Sequence, residues 1–528
     1  MFVYAFVTLF ITTALFALYV LASRLVRQRS LWYVPGPASV SFLSGILSVW
    51  FGENALDFQE KTAERHGRII GLTGFLGDRI LYVTDTKALH DIFIKKPDYF
   101  EVHEGFREST RLVFGGIGLL SANGDVHRKQ RKLMNPAFSV DHMRRMMPVL
   151  QASTHKLLVR LDEAVRKGTK EVDVMDCSSR LALEFIGQAG LGHSFGAIED
   201  DGYGNILNRF ETTLGKLMMF GSLIPILTRF IPGHILRFIA ESIPWPTLHE
   251  MLNITDVMQA TSREIWEEKK RLFALGDKSV INEYGEGKDI MSILLNENLA
   301  ASEEDRLADD ELLPQINTFT LAATGTTATS LARILYLLAL RPDVQGRLRE
   351  ELTQACDAKG EIGHDDLVNL PFLEAVCRET LRLHSSSRFN GFPTHTELFV
   401  PGGTMIVVST VGVNRDKATW GPDAKEWKPE RWLSPLPDSV AEARVPGVYA
   451  NLLTFIGGSH ACMLLICCGF SEVALSRLVP SFRFTPSKHE IVWRLGGSVT
   501  PSVKGSTTNA AELPLLVSPI ARAAKDYA

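Results

Sequence analysis

Between about residues 140 and 385 the chain shows long apolar periodicities with charged opposite faces, interrupted by glycines and prolines. A period of 3.6 residues specifies amphipathic helices. Apolar faces in such number are hidden only against one another, so this stretch folds as one helical body. No clean linker follows residue 37, and no internal repeat is visible.

Strand patterns flank that body. Residues 55–66 read as a short helix between Asn54 and Gly67, and 68–72 and 79–83 as a hairpin. Residues 398–413 read as strands around a Pro401-Gly402-Gly403 turn, and 482–484 and 490–493 as strands beyond Pro480. The expected fold class is mostly α with small β-sheets. Gly71, Gly74 and Gly77 lack the Gly-x-Gly-x-x-Gly spacing and the βαβ setting of a nucleotide loop.

Met1 to Ala22 is apolar and uncharged, long enough at about 1.5 Å per residue to cross a bilayer. Arg24, Arg27 and Arg29 follow it and nothing basic precedes it, which places the remainder on the cytosolic side. The expected organisation is an anchor at 1–22, a basic and proline-rich linker at 23–37, and a catalytic domain at 38–528. A second greasy stretch, 217–240, is broken by Pro225 and Pro232 and reads as a buried or membrane-dipping segment. The formal charge of -4 argues against a nucleic-acid partner. Six cysteines in 528 residues, with no Cys-x-x-Cys pair, make no disulfide framework.

Four patterns carry chemistry. Residues 318–340 form a helix candidate containing Ala322-Ala323-Thr324-Gly325-Thr326-Thr327, where small side chains permit close approach of something flat and hydroxyls bond a carbonyl one turn back. A helix–helix contact would explain the same small residues. Glu379 and Arg382, three apart on another helix and set among leucines and valines, suggest a buried ion pair. The loop containing Asn414-Arg415-Asp416, Trp420-Gly421-Pro422-Asp423 and Pro429-Glu430-Arg431-Trp432 is rich in groups that need fixing by hydrogen bonds. Last, Phe455-Ile456-Gly457-Gly458-Ser459-His460-Ala461-Cys462 is a glycine loop leading into an apolar helix expected to begin near Cys462. A cysteine there has its thiolate favoured by free backbone donors and suits a metal, a redox role or nucleophilic attack. Zinc would need three more ligands, whereas haem iron needs one axial thiolate.

Together these patterns resemble the cytochrome P450 family, in that family's order along nearly the whole chain. Glu379 and Arg382 match its Glu-x-x-Arg pair, and Pro429-Glu430-Arg431-Trp432 its Pro-Glu-Arg-Phe box, with Arg431 completing an ion network. Ala322, Ala323 and Thr326 look like its oxygen-binding groove. His127 with Arg131 resembles a Trp-x-x-x-Arg segment. Phe455, Gly458, His460 and Cys462 match Phe-x-x-Gly-x-Arg-x-Cys, with histidine for arginine. Several segments look most like fungal microsomal members.

The resemblance implies haem b with Cys462 as axial thiolate and with Arg131, Arg388, His460 and His127 holding its propionates. Thr326, with Thr327 nearby, would steer protons, and Ala322 and Ala323 would leave room for O₂. It further implies NADPH electrons delivered by cytochrome P450 reductase, cytochrome b5 as a further partner, an apolar small-molecule substrate, and a single-pass place in the endoplasmic reticulum membrane. Oxidation of such a substrate in fungal secondary metabolism is the expected function.

Three departures from the family stand out. Gly325 replaces an acid, Ala323 replaces a glycine, and Leu464 stands where a glycine follows the cysteine, so it would crowd the haem edge. Gly469 lies two after Cys467, but taking Cys467 as ligand forfeits the matches at Phe455, Gly458 and His460. Two other readings follow from these departures: a haem isomerase or dehydratase needing no imported electrons, and a haem-binding homologue whose catalysis is impaired.

Overall fold

A computed structural model describes residues 28–50, 55–200, 202–217, 224–275, 289–360, 362–384, 389–391, 400–463, 467–495, 498–506 and 510–520, with single positions at 19, 22, 23, 26 and 221. Most of the expected anchor, Arg388, and Leu464 lie outside these residues. No described helix is long and apolar enough to cross a membrane.

The strands are β1 (Ile69–Thr73), β2 (Arg79–Val83), β3 (Glu171–Asp173), β4 (Phe389–Gly391), β5 (Met405–Val408), β6 (Phe482–Pro486), β7 (Ile491–Leu495), β8 (Val499–Val503) and β9 (Pro514–Pro519). They form small sheets ordered β1-β2-β5-β4, β3-β9-β6 and β7-β8. The hairpin expected at 68–83 is present, with Ile70 opposite Tyr82. β5 lies parallel to β2, pairing Leu81 with Ile406, a long-range union that local patterning does not announce. The strand reading of 398–413 extends too far. Thr410–Asn414 is a short helix, because the Ser409 side chain accepts from the Gly412 amide and caps a turn there.

Helices build the rest. α1 is Ala55–His66, α2 Gly124–Met134, α3 Val140–Arg166, α4 Val174–Phe185, α5 Ile224–Phe230, α6 Gly233–Ser242, α7 Pro246–Leu275, α8 Asp309–Leu340, α9 Pro371–Leu383 and α10 Cys467–Ser481. α8 is the axis of the molecule and packs against α4, α7, α9, α10 and β6. Most of its residues are buried, as expected of a helix that is apolar on nearly every side. It begins at Asp309, well before the expected 318. Asp309, Asp310 and Glu311 suit the positive end of its dipole, and the Glu311 side chain accepts from the Ala308 amide. Pro314 sits inside this helix near its start, where the missing donor costs one bond rather than the whole helix.

Two apolar clusters meet along α8. One joins α3, α4, α9, α10, β6 and β9, including Leu150, Phe185, Leu335, Val376 and Leu475. The other joins α2, α7 and the first half of α8, including Met134, Met258, Ile316 and Phe319. The stretch 217–240 is not buried where it is described: Phe230 is 72% and Phe238 69% exposed, and Ile226, Leu227, Ile235 and Ile239 are also exposed.

Candidate active site

The buried ion network is built first, because everything around the cysteine loop leans on it. α9 carries Glu379 and Arg382 on one face, both at 0% exposure and joined by two 2.8 Å hydrogen bonds. A buried pair is tolerable only when its remaining donors and lone pairs are satisfied. Arg382 also donates to the carbonyls of Asn414, Ala424 and Glu426. Glu379 accepts from the Lys428 amide at 3.0 Å, Arg431 Nε at 3.4 Å and Trp432 Nε1 at 3.0 Å. Arg431 is pinned in turn by Asp423 at 3.0 Å. The loop from 414 to 432 therefore wraps the end of α9 through side chains that point inward.

Asn414 extends this network toward the cysteine. Its Nδ2 donates to Thr454 Oγ1 and its Oδ1 accepts from the Leu453 amide, each at 2.8 Å. The sequence reading noted Asn414 only as a loop residue. Its signal was a fully polar amide between Val413 and Arg415, in a segment that otherwise packs inward.

The cysteine loop follows at once. Gly458 adopts φ 72, and a Cβ there would lie 1.9 Å from the Phe93 carbonyl oxygen, so only glycine fits. A Cβ at Gly457 would meet the Pro446 carbonyl at 2.3 Å. Gly458–His460 makes a single 3-10 turn, after which the chain extends and the Cys462 amide donates to the Phe455 carbonyl at 2.9 Å. Cys462 is exposed. The next described helix, α10, starts at Cys467, and residues 464–466, over which the helix expected to begin near Cys462 would start, lie outside the described residues. Ala461 is extended, and the Cys462 amide is used by the Phe455 carbonyl.

A cation stands near the cysteine. Arg131 of α2 donates to the Ala461 carbonyl at 2.7 Å. Burial lowers the Arg131 pKa, and the charge of Cys462 works in the opposite direction. One turn before it, His127 faces His460 with ring centroids 4.3 Å apart. Burial, then His460 and Arg131, push the His127 pKa down to about 4. Burial and Arg131 also lower that of His460, so two neutral imidazoles lie against each other. Arg128 turns outward to Asp125 and Asp98.

On α8, Leu321, Ala322, Gly325 and Thr326 are partly open in an otherwise buried helix, while Ala323 and Thr327 are buried. Thr326 Oγ1 donates back to the Ala322 carbonyl at 2.7 Å, as Thr318, Thr320 and Thr324 do to theirs. Thr327 and Thr329 break that habit, and their buried hydroxyls have no partner among the described residues. Ala322 and Met463, the residue after Cys462, both border the apolar cluster around Phe319.

Comparison with known proteins decides the family. The cytochrome P450 family model matches residues 34–492. Cytochrome P450 monooxygenases 91 and 81 of Postia placenta are 42% and 41% identical to this chain. The alignments cover 90% and 96% of this chain, and 91% and 96% of those proteins. The chain belongs to the cytochrome P450 family. A ganoderic acid synthetase of Ganoderma lucidum is 36% identical over 90% of this P450 and 92% of its own length. The protein is thus a cytochrome P450 monooxygenase, a family whose members hold a thiolate-ligated haem.

The residues present fit such a group. One exposed thiol stands at the end of a rigid loop, with cationic and imidazole side chains beside it to meet carboxylates. A strip of small residues lies open on the central helix, as a flat ligand requires. Among the described residues no three His, Cys, Asp or Glu side chains could hold a bare metal ion.

Proposed function

We propose that this P450 binds haem b through the Cys462 sulfur and oxidises an apolar small molecule in secondary metabolism, drawing NADPH electrons through a reductase. The observation that carries the reading is the exposed Cys462 at the end of the glycine loop, with Arg131 clamped to its preceding carbonyl. Bound there, haem would supply O₂ activation with two electrons and two protons.

The chain supplies placement and protons. Gly457 and Gly458 let the loop turn tightly enough to present one sulfur. Arg131, His127 and His460 would meet the propionates, together with Arg388. Ala322 and Ala323 would keep the O₂ side uncrowded. Thr326 spends its proton on Ala322, which leaves its oxygen free to accept from a water. With glycine at 325, the partnerless hydroxyl of Thr327 would take over part of the proton delivery.

The relative named as a ganoderic acid synthetase supports secondary metabolism. The exposed apolar faces of α5 and α6 support membrane contact, and the apolar N-terminal run supports a single-pass anchor in the endoplasmic reticulum with the catalytic body in the cytosol. Reduced, CO-treated microsomes should show the red-shifted Soret band of a haem thiolate, and turnover should require both NADPH and reductase. Folded protein lacking that band, or turnover without reductase, would reject the respective half of the reading.

A further inference from the structure

Arg333 is a buried cation on the central helix. It lies on α8 at 8% exposure, and among the described residues no carboxylate and no carbonyl accepts a hydrogen bond from its guanidinium. It stacks on the Trp493 ring of β7, with the guanidinium carbon 3.0 Å from the ring centroid. A stack on an aromatic face offsets only part of the loss of water.

The surroundings make the deficit larger. Arg415 and His384 face the same place. Arg415 donates through Nε to the Leu383 carbonyl at 2.8 Å, and its Nη2 lies 3.5 Å from His384 Nδ1. Burial first, then Arg333, Arg415 and Arg382, drives the His384 pKa far down, so the imidazole is neutral. Of the nearby carboxylates, Glu379 is committed to Arg382, Arg431 and Trp432, and Glu60 pairs with Lys425 while its charge also acts on Arg415. Two guanidinium groups thus converge on one place, and among the described residues no carboxylate acts on Arg333.

Position gives the site a use. Arg333 follows Thr326 by seven residues, within about 20° of two full helical turns, so both lie on one face about 10.5 Å apart. Thr329 lies between them, and its buried hydroxyl also has no partner among the described residues. The same helix face therefore carries the oxygen-site threonine, an unused hydroxyl and an unpaired cation, in that order.

We propose that Arg333, Arg415, His384 and Trp493 form a carboxylate subsite, which takes the acid group of an amphipathic substrate whose apolar end reaches Thr326. This rests on the P450 reading of α8 and adds the substrate class, an apolar carboxylic acid. A haem propionate is the other source of a carboxylate, and the test separates the two.

Octanoate and octanol are titrated into the purified full-length protein by calorimetry, with R333M and R333K alongside, and haem-to-protein ratio and melting temperature are recorded for each. Octanoate should bind about ten-fold more tightly than octanol, the worth of one charged hydrogen bond. R333M should abolish that preference and R333K keep most of it, at unchanged haem content. Without ligand, R333M should melt no lower than wild type, since it removes an uncompensated buried charge. No acid preference in wild type, or a preference surviving in R333M, overturns the proposal. Haem loss in R333M assigns the site to a propionate and overturns it too, as does a lower melting temperature, which would make Arg333 a structural cation. Calorimetry needs no turnover, so a missing CO band would sink the monooxygenase reading separately.

Discussion

Arg131 holds the carbonyl of Ala461 at 2.7 Å, which clamps helix α2 to the residue immediately before Cys462, 330 positions from Arg131 along the chain. The clamp is a hydrogen bond to a charged donor, worth about 1.5–3 kcal/mol. Arg131→Met should loosen the loop and remove a propionate partner together. Haem-to-protein ratio after purification should fall several-fold, with Arg131→Lys in between. Full haem retention in Arg131→Met would show that the clamp does not position the loop.

Cys462→Ala should abolish the reduced CO band, whereas Cys467→Ala and Cys468→Ala should keep it. Cys467 opens α10, five residues further on, whereas the Arg131 clamp holds the carbonyl just before Cys462. A thiolate band persisting in Cys462→Ala would transfer the ligand role to another sulfur.

Gly458→Ala combines a left-handed backbone with a Cβ 1.9 Å from the Phe93 oxygen. The two effects together should cost about 2–4 kcal/mol. Lower melting temperature and lower haem content should appear together. Gly505→Ala, also left-handed at φ 81 but with open space around it, should lose less and keep its haem.

Glu379→Gln leaves Arg382 buried at 0% exposure without its counter-charge. Breaking such a pair by removing one partner costs about 3–5 kcal/mol. Little folded protein should be recovered from expression, and what remains should melt well below wild type. A near-normal melting curve would mean that the backbone carbonyls around Arg382 suffice.

Glu472 of α10 is buried, and burial followed by the Glu374 charge raises its pKa well above 4.5, against the pull of Arg378. A folded-state pKa above the unfolded one means that the folded protein binds the extra proton. Stability is then fully present below the ordinary carboxylate range and is lost as pH rises through the raised value. Melting temperature should decline as pH rises above the ordinary carboxylate range. Glu472→Gln should flatten that decline while Tyr449 and Arg378 continue to hold Glu374. An unaltered slope would assign the pH dependence to other groups.

Local chemistry was readable where one short segment decided it. The hairpin over β1 and β2 follows from alternation and turn glycines, and the contact of Glu379 with Arg382 needs only three-residue spacing on a helix. The requirement for glycine at 458 was visible as a motif, while its cause, the Phe93 carbonyl, comes from a helical segment elsewhere in the chain. The parallel pairing of β2 with β5 has no local signature. Neither has the convergence of Arg333, His384 and Arg415, since each looks like an ordinary residue of its own segment. The start of α8 was missed because Pro314 hid a helix whose capping is done by acids upstream.

Asn414 takes hold of Arg382 through its carbonyl and of Leu453 and Thr454 through its side chain, just ahead of the cysteine loop. That loop is therefore set when the polypeptide folds, before any cofactor arrives, and the ordering entropy falls on folding rather than on haem capture. A lesion at Asn414 would accordingly surface as a colourless protein: made, folded through most of its body, and unable to keep its pigment, though the altered amide lies well outside the loop that bears the sulfur.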